Sequence, residues 1–188
     1  MARPRTVSDE VILDAALVVM QRGGGPEALT FASAAKAVGL SPAALVQRFG
    51  TRPQLLRAAL LRLWDALDAR TEAADAEAPE TPEGAISMLV ALSTRSVEID
   101  DYVEGLSLLR EDLRDPQLRA RGATWGRVLA EALGRRLTDD PARQDMLGRL
   151  MASQWQGAQI WWAFSRDADP EQAIGEELRA WCAAVLEG

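Results

Sequence analysis

The side chains best placed to do chemistry fall in one short stretch, Ser41-Pro42-Ala43-Ala44-Leu45-Val46-Gln47-Arg48-Phe49. Its single carboxamide, Gln47, both donates and accepts, the pattern that pairs bidentately with adenine N6 and N7 in a major groove. Pro42, Ala43 and Val46 beside it offer apolar surface suited to thymine methyl groups. Thr30, Ser41, Thr51 and Arg52 fall where helices are expected to start. At such points hydroxyls, free backbone amides and charge converge on an anion of the kind a phosphate presents. Arg48 adds a cation, and Arg3 and Arg5 form a basic N-terminal arm able to reach backbone or minor groove.

Other chemistries have little to work with. The chain has no histidine, which removes the commonest general base, the histidine-containing triads and most zinc and iron sites. Cys182 is the only cysteine, so neither a thiolate metal cluster nor an intrachain disulfide can form. The acids are spread along what read as solvated helix faces. The expectation is a protein without metal or cofactor, and not an enzyme.

A net charge of −7 argues at first against a polyanionic partner. Its distribution says otherwise. Residues 1–57 hold seven basic and four acidic side chains, a balance of +3, which leaves −10 for the remainder. A basic head on an acidic body suits a protein that touches nucleic acid at one end. No stretch approaches the roughly 18 uninterrupted apolar residues of a membrane span. The N-terminus MARPRTVSDE has no apolar segment behind its basic residues, so the expected location is the cytoplasm, with no membrane partner.

The elements that must position these residues read as helices throughout, because no run alternates as a half-buried strand would. Five pairs, Ser41-Pro42, Thr81-Pro82, Asp115-Pro116, Asp140-Pro141 and Asp169-Pro170, each set a capping side chain before a proline. The cap oxygen accepts from free first-turn amides, and proline gives up only an N–H that had no partner. The pattern predicts helices over 8–22, 30–38, 41–49, 51–67, 82–99, 102–112, 116–137, 141–166 and 170–186, with Gly23-Gly24-Gly25-Pro26 as a breaker. The acidic, proline-interrupted stretch 73–80 reads as an exposed loop. Between the second and third helices, Val38-Gly39-Leu40 supplies a bend in which glycine allows a left-handed backbone. Small Ala34 and Ala35 let the third helix approach, Leu45 and Phe49 anchor it, and its outer face is free to enter a major groove.

On these residues the chain resembles the tetracycline-repressor-like (TetR) family of transcriptional regulators. The likeness rests on Ile12-Leu13-Asp14-Ala15-Ala16-Leu17, on Leu29-Thr30-Phe31 and on the Val38-Gly39-Leu40-Ser41 turn. It continues through Leu45, Phe49, Arg52 and Leu55-Leu56, and covers about the first 60 residues. Two departures stand out. Val46 replaces a tyrosine that in the family commonly contacts phosphate, and Arg52 replaces the usual lysine with its charge kept.

The resemblance implies an all-α protein of about nine helices. A three-helix helix-turn-helix domain over 1–52 would bind double-stranded operator DNA, and a helical domain over 53–188 would bind an effector and dimerise. Six tryptophans are many for 188 residues, and four lie in two predicted neighbouring helices. Indoles supply large apolar walls with one N–H handle. The candidate pocket is therefore Met88, Leu92, Trp125, Met151, Trp155, Gln159 and Trp162, with Phe164, Gln154 and Arg95 as further contacts. The last two helices would form the dimer face through Trp161, Ile174, Leu178, Trp181 and Val185. The implied function is a homodimeric repressor released from a near-palindromic operator by a small hydrophobic or aromatic ligand. Two alternatives stay open: the same DNA-binding build without a small-molecule effector, and a ligand-binding helical protein whose helix-turn-helix is vestigial.

Overall fold

A computed structural model describes residues 7–93, 99–166 and 168–186. Among them every regular element is helical: α1 (Asp9–Arg22), a 3₁₀ turn (Pro26–Ala28), α2 (Phe31–Val38), α3 (Pro42–Phe49), α4 (Arg52–Glu77), α5 (Pro82–Leu92), α6 (Ile99–Arg114), α7 (Pro116–Leu137), α8 (Pro141–Ser165) and α9 (Pro170–Leu186). The fold is all-α, as expected. All five cap–proline pairs begin a helix. Ser41, Thr81 and Asp140 accept from the backbone amides of Ala44, Gly84 and Ala142. Asp115 accepts from Gln117 and Leu118, and Asp169 from Glu171 and Gln172.

Three helices differ in extent from the sequence expectation. Helix α4 runs on through Glu77, so most of the stretch read as a loop is helical. Alanine and glutamate favour helix there, Ala74 is buried, and the acidic character that suggested solvent is used by Asp75 in ion pairs; Pro79 then stops the helix. Helix α5 ends at Leu92, where the Ser93 hydroxyl turns back to the Leu89 carbonyl, and α6 extends to both sides of its expected range.

Packing divides the chain into two compact units. The first comprises Met1–Ala66 and Val103–Arg121, the second Leu67–Tyr102 and Gly122–Gly188. The expected line after residue 52 follows role, whereas packing keeps the first half of α4 with the helices before it. The core of the first unit gathers Ile12, Ala16, Met20, Leu29, Ala34, Ala35, Leu45, Leu55, Ala59, Leu60 and Leu118. Ion pairs Arg62–Asp14 (2.9 Å) and Arg57–Asp115 (2.6 Å) and an indole bond from Trp64 to Asp112 (3.1 Å) surround it. Burial pushes the Asp112 carboxyl up despite that bond, and the neighbouring Asp115 charge adds to the rise.

The core of the second unit is built from α4, α5, α7, α8 and α9, with Leu89, Leu133, Leu147, Met151 and Leu178 fully enclosed. Two details fix it. Helices α7 and α8 meet through glycines: a Cβ on Gly148 would collide with the Ala130 carbonyl, and one on Gly134 with the Gln144 carbonyl. Arg136 is the second, a guanidinium with a side chain 1% exposed. It donates to the Asp75 carboxylate and to the carbonyls of Asp75, Ala78, Pro79 and Ala132. Those of Asp75 and Ala78 lie where the end of α4 supplies no further helical amide.

Candidate nucleic-acid interface

Helix α3 is held by what precedes it. Thr30 caps α2 in a reciprocal box with Ser33, which fixes where that helix begins. Gly39 closes α2 in the left-handed region at φ 69°, and the chain leaves at an angle that a residue with a Cβ adopts only under strain. Two residues later Ser41 caps α3. Leu45 is wholly buried beneath the helix and Phe49 packs half-buried beside it, so that face points inward.

The opposite face is open. Ser41, Pro42, Ala43, Val46 and Gln47 are all exposed, Val46 to 44%. Five sequence candidates are thus brought together on one accessible surface two turns long. The third cap, Thr51, forms another reciprocal box with Gln54, whose Oε1 lies 2.8 Å from the Thr51 amide. The sequence carries the signal for it, threonine followed three residues later by glutamine.

The basic candidates behave differently. Arg48 donates to the Val7 carbonyl (2.6 Å) and pairs with Asp9 (3.3 Å), so it fastens the start of α1 to α3. Arg52 donates through Nε to the Leu29 carbonyl and through Nη2 to that of Pro26, each 2.7 Å, with Glu27 3.4 Å away. Both guanidiniums tie elements of the first unit together, Arg48 through Nη1 alone at an exposed position and Arg52 through Nε and Nη2. Lys36, in the last turn of α2, is exposed and, among the described residues, has no ion-pair partner; sequence reasoning did not single it out. Arg3, Arg5 and Arg95 lie outside the described residues.

The proposed pocket residues also come together, but as packed core. Met88, Leu92, Met151 and Trp155 are buried in one cluster, with Trp125 packed half-buried against it. The rings of Trp125 and Trp155 are tilted at 51° with centroids 6.4 Å apart, an attractive aromatic geometry. Their N–H groups are used inside the chain. Trp155 donates to the Ser93 hydroxyl (2.8 Å) and Trp125 to that of Thr71 (2.9 Å). Trp162 is buried and donates to the Ala168 carbonyl, while Gln159 is half-buried.

On the expected dimer face the residues separate. Ile174 and Leu178 are buried where α9 packs on α5 and α8, which leaves them no surface for a partner. These two side chains of the expected stripe are spent on internal packing. Trp181 and Val185 are half-buried against the same core. Trp161 is 72% exposed and tilts against Phe164, itself 79% exposed, beside an open cleft of about 560 Å³ floored by Ala158 and Trp162. Among the described residues no group of acids and thiols converges to hold a metal, and no helix is long and apolar enough to cross a membrane.

No family model and no curated protein matches the chain. Solved structures do. A chain assigned to the TetR family of transcriptional regulators, from Rhodococcus sp., superposes with a TM-score of 0.66 at 20% identity, covering 94% of this chain and 97% of its own. Another, from Mesorhizobium loti, gives 0.63 at 17% identity over 95% and 98%. The TetR-family regulator PfmR from Thermus thermophilus gives 0.56 at 21% identity over 96% and 98%. The chain therefore shares, along nearly its whole length, the fold of TetR-family regulators.

Proposed function

We propose that the protein is a transcriptional regulator that binds double-stranded DNA through α3, with residues 1–52 reading the site and residues 53–188 serving dimerisation and response. One observation carries the reading: the Gly39 bend and the Ser41 cap hold α3 with Pro42, Ala43, Val46 and Gln47 outward and uncovered. The shared fold supports it. In a homodimer two such helices would enter successive major grooves roughly 34–36 Å apart, on a near-palindromic operator. Trp161 and Phe164, the most exposed large apolar side chains among the described residues, would offer surface to the partner chain. As a repressor, the dimer would release DNA when a ligand favours a form with the wrong spacing, and α4 is the covalent route, since residues 52–66 belong to one compact unit and 67–77 to the other.

Gln47→Ala tests the reading. Loss of a bidentate base contact should weaken operator binding about tenfold and relax specificity at one base pair, with stability unchanged because the side chain is exposed. Equal affinity of variant and wild type for the selected operator, by fluorescence anisotropy, would remove Gln47 from the base contacts, and the same result for a Val46→Ser, Gln47→Ala double variant would remove α3 from the interface.

A second reading, the same build without a small-molecule effector, is favoured by one feature. The indole N–H groups of Trp125, Trp155 and Trp162, which would orient a ligand, already have partners in the chain. A thermal-shift screen against small hydrophobic and aromatic compounds separates the two. The effector reading expects at least one compound to raise the midpoint in proportion to its concentration over Kd; a flat response across the panel supports the second.

A further inference from the structure

We infer that α3 reads the operator half-site chiefly through thymine C5-methyl groups and an adenine, with no guanine read by Arg48 or Arg52. The inference rests on the DNA-binding reading above and specifies the class of sequence it recognises.

The commonest specific protein–DNA contact is a guanidinium or ammonium held bidentately to guanine O6 and N7. Helix α3 has a single charged side chain, Arg48, and the structure commits it elsewhere. Its Nη1 lies 2.6 Å from the Val7 carbonyl and 3.3 Å from Asp9. Arg52, the next cation along the chain, has Nε and Nη2 on the Leu29 and Pro26 carbonyls. Swinging Arg52 into the groove would strand the part-buried Leu29 and Pro26 carbonyls, and turning Arg48 outward would release the start of α1 from α3.

What α3 does present is uncharged: the Ser41 hydroxyl, the apolar surfaces of Pro42, Ala43 and Val46, and the Gln47 carboxamide. The major-groove edge complementary to an apolar side chain is the thymine C5-methyl, and the edge complementary to a carboxamide is adenine N6 and N7. Cytosine carries hydrogen at C5 and gives these side chains nothing to bury. The same atoms would meet the methyl of 5-methylcytosine, which occupies the same place in the groove. Val46, where an aromatic side chain with a hydroxyl would instead reach for phosphate, contributes two methyl groups to this surface.

Selection of the full-length protein on random duplexes, followed by base-analogue titrations on the enriched site, tests the inference. Replacing thymine by deoxyuridine under α3 removes only the methyl and should weaken binding about fourfold for each methyl lost. A cytosine placed at such a position should regain about fourfold on C5-methylation. Val46→Ser, at an exposed position that leaves the fold intact, should bring the thymine-over-uridine ratio close to one at the base pair Val46 faces. An enriched half-site whose conserved positions are guanines, equal binding of thymine and uridine duplexes, or a ratio unmoved by the Val46 change each overturns the inference while leaving a DNA-binding regulator in place. Failure to enrich any motif overturns both together.

Discussion

Arg136→Met should lower stability by about 3–5 kcal/mol, the largest loss expected from a single side chain in this protein. A guanidinium has five N–H donors, and at Arg136 each one has an acceptor within the second unit. Methionine fills much of the same volume, so the loss comes from stranded acceptors and not from a cavity. The Asp75, Ala78 and Pro79 carbonyls lose the donor that closes the end of α4, and the Asp75 carboxylate keeps only Arg135. In thermal unfolding the midpoint should fall on the order of 10 °C. Arg136→Lys, which keeps the charge but not the planar fork, should recover only part of it. Arg149→Ala, which removes an exposed pair with Asp145, should cost less than about 1 kcal/mol. If Arg136→Met unfolds with the wild type, the clamp is not what holds α4 to α7.

Acid gives a second handle on the same clamp. Burial alone would raise the Asp75 carboxyl, but hydrogen bonds and charge from Arg135 and Arg136 outweigh it and hold its pKa below the ordinary carboxylate value. A depressed folded pKa means that the stabilisation is complete above the unfolded value of about 4 and is lost as pH falls through the folded one. The urea midpoint of wild type should therefore drop more steeply below about pH 4 than that of Asp75→Asn.

The second large effect is expected at the α7–α8 crossing. Gly148→Val should cost about 3 kcal/mol, because its Cβ would meet the Ala130 carbonyl, which is backbone and cannot rotate aside. Gly134 makes the reciprocal approach to the Gln144 carbonyl, so the two helices have to part along the whole contact to admit a side chain. Gly157 in the same helix is the control. A Cβ there meets nothing within 4 Å, so Gly157→Ala should stabilise by about 0.5–1 kcal/mol through helix propensity. A Gly148→Val protein melting with wild type would show that the crossing tolerates separation.

Local rules account for most of the helix starts. A cap before a proline is decided by neighbours in sequence, and Ser41, Thr81, Asp115, Asp140 and Asp169 all begin helices. The outward face of α3 is legible for a similar reason, since Leu45 and Phe49 mark the inner side and periodicity gives the rest. What cannot be read is long-range. Nothing near Arg48 or Arg52 announces that the carbonyls of Val7, Pro26 and Leu29 will claim them. The stripe Ile174–Leu178 looks like a subunit contact because periodicity shows that a face is covered and not what covers it. Residues 73–77 mislead through composition: acids and alanines read as solvent-exposed chain, when Ala74 packs inward and Asp75 finds two arginines.

The unequal surroundings of the indoles also equip the protein with its own optics. Trp155, enclosed and bonded to Ser93, sits in a medium unlike that of Trp161, which stands in water beside Phe164. Emission from the interior ring should lie to the blue and resist dissolved iodide, while that from Trp161 should lie to the red and be quenched wherever no partner chain covers it. Events in the core and events on the outer wall of α8 therefore leave different colours in one spectrum, with no label attached.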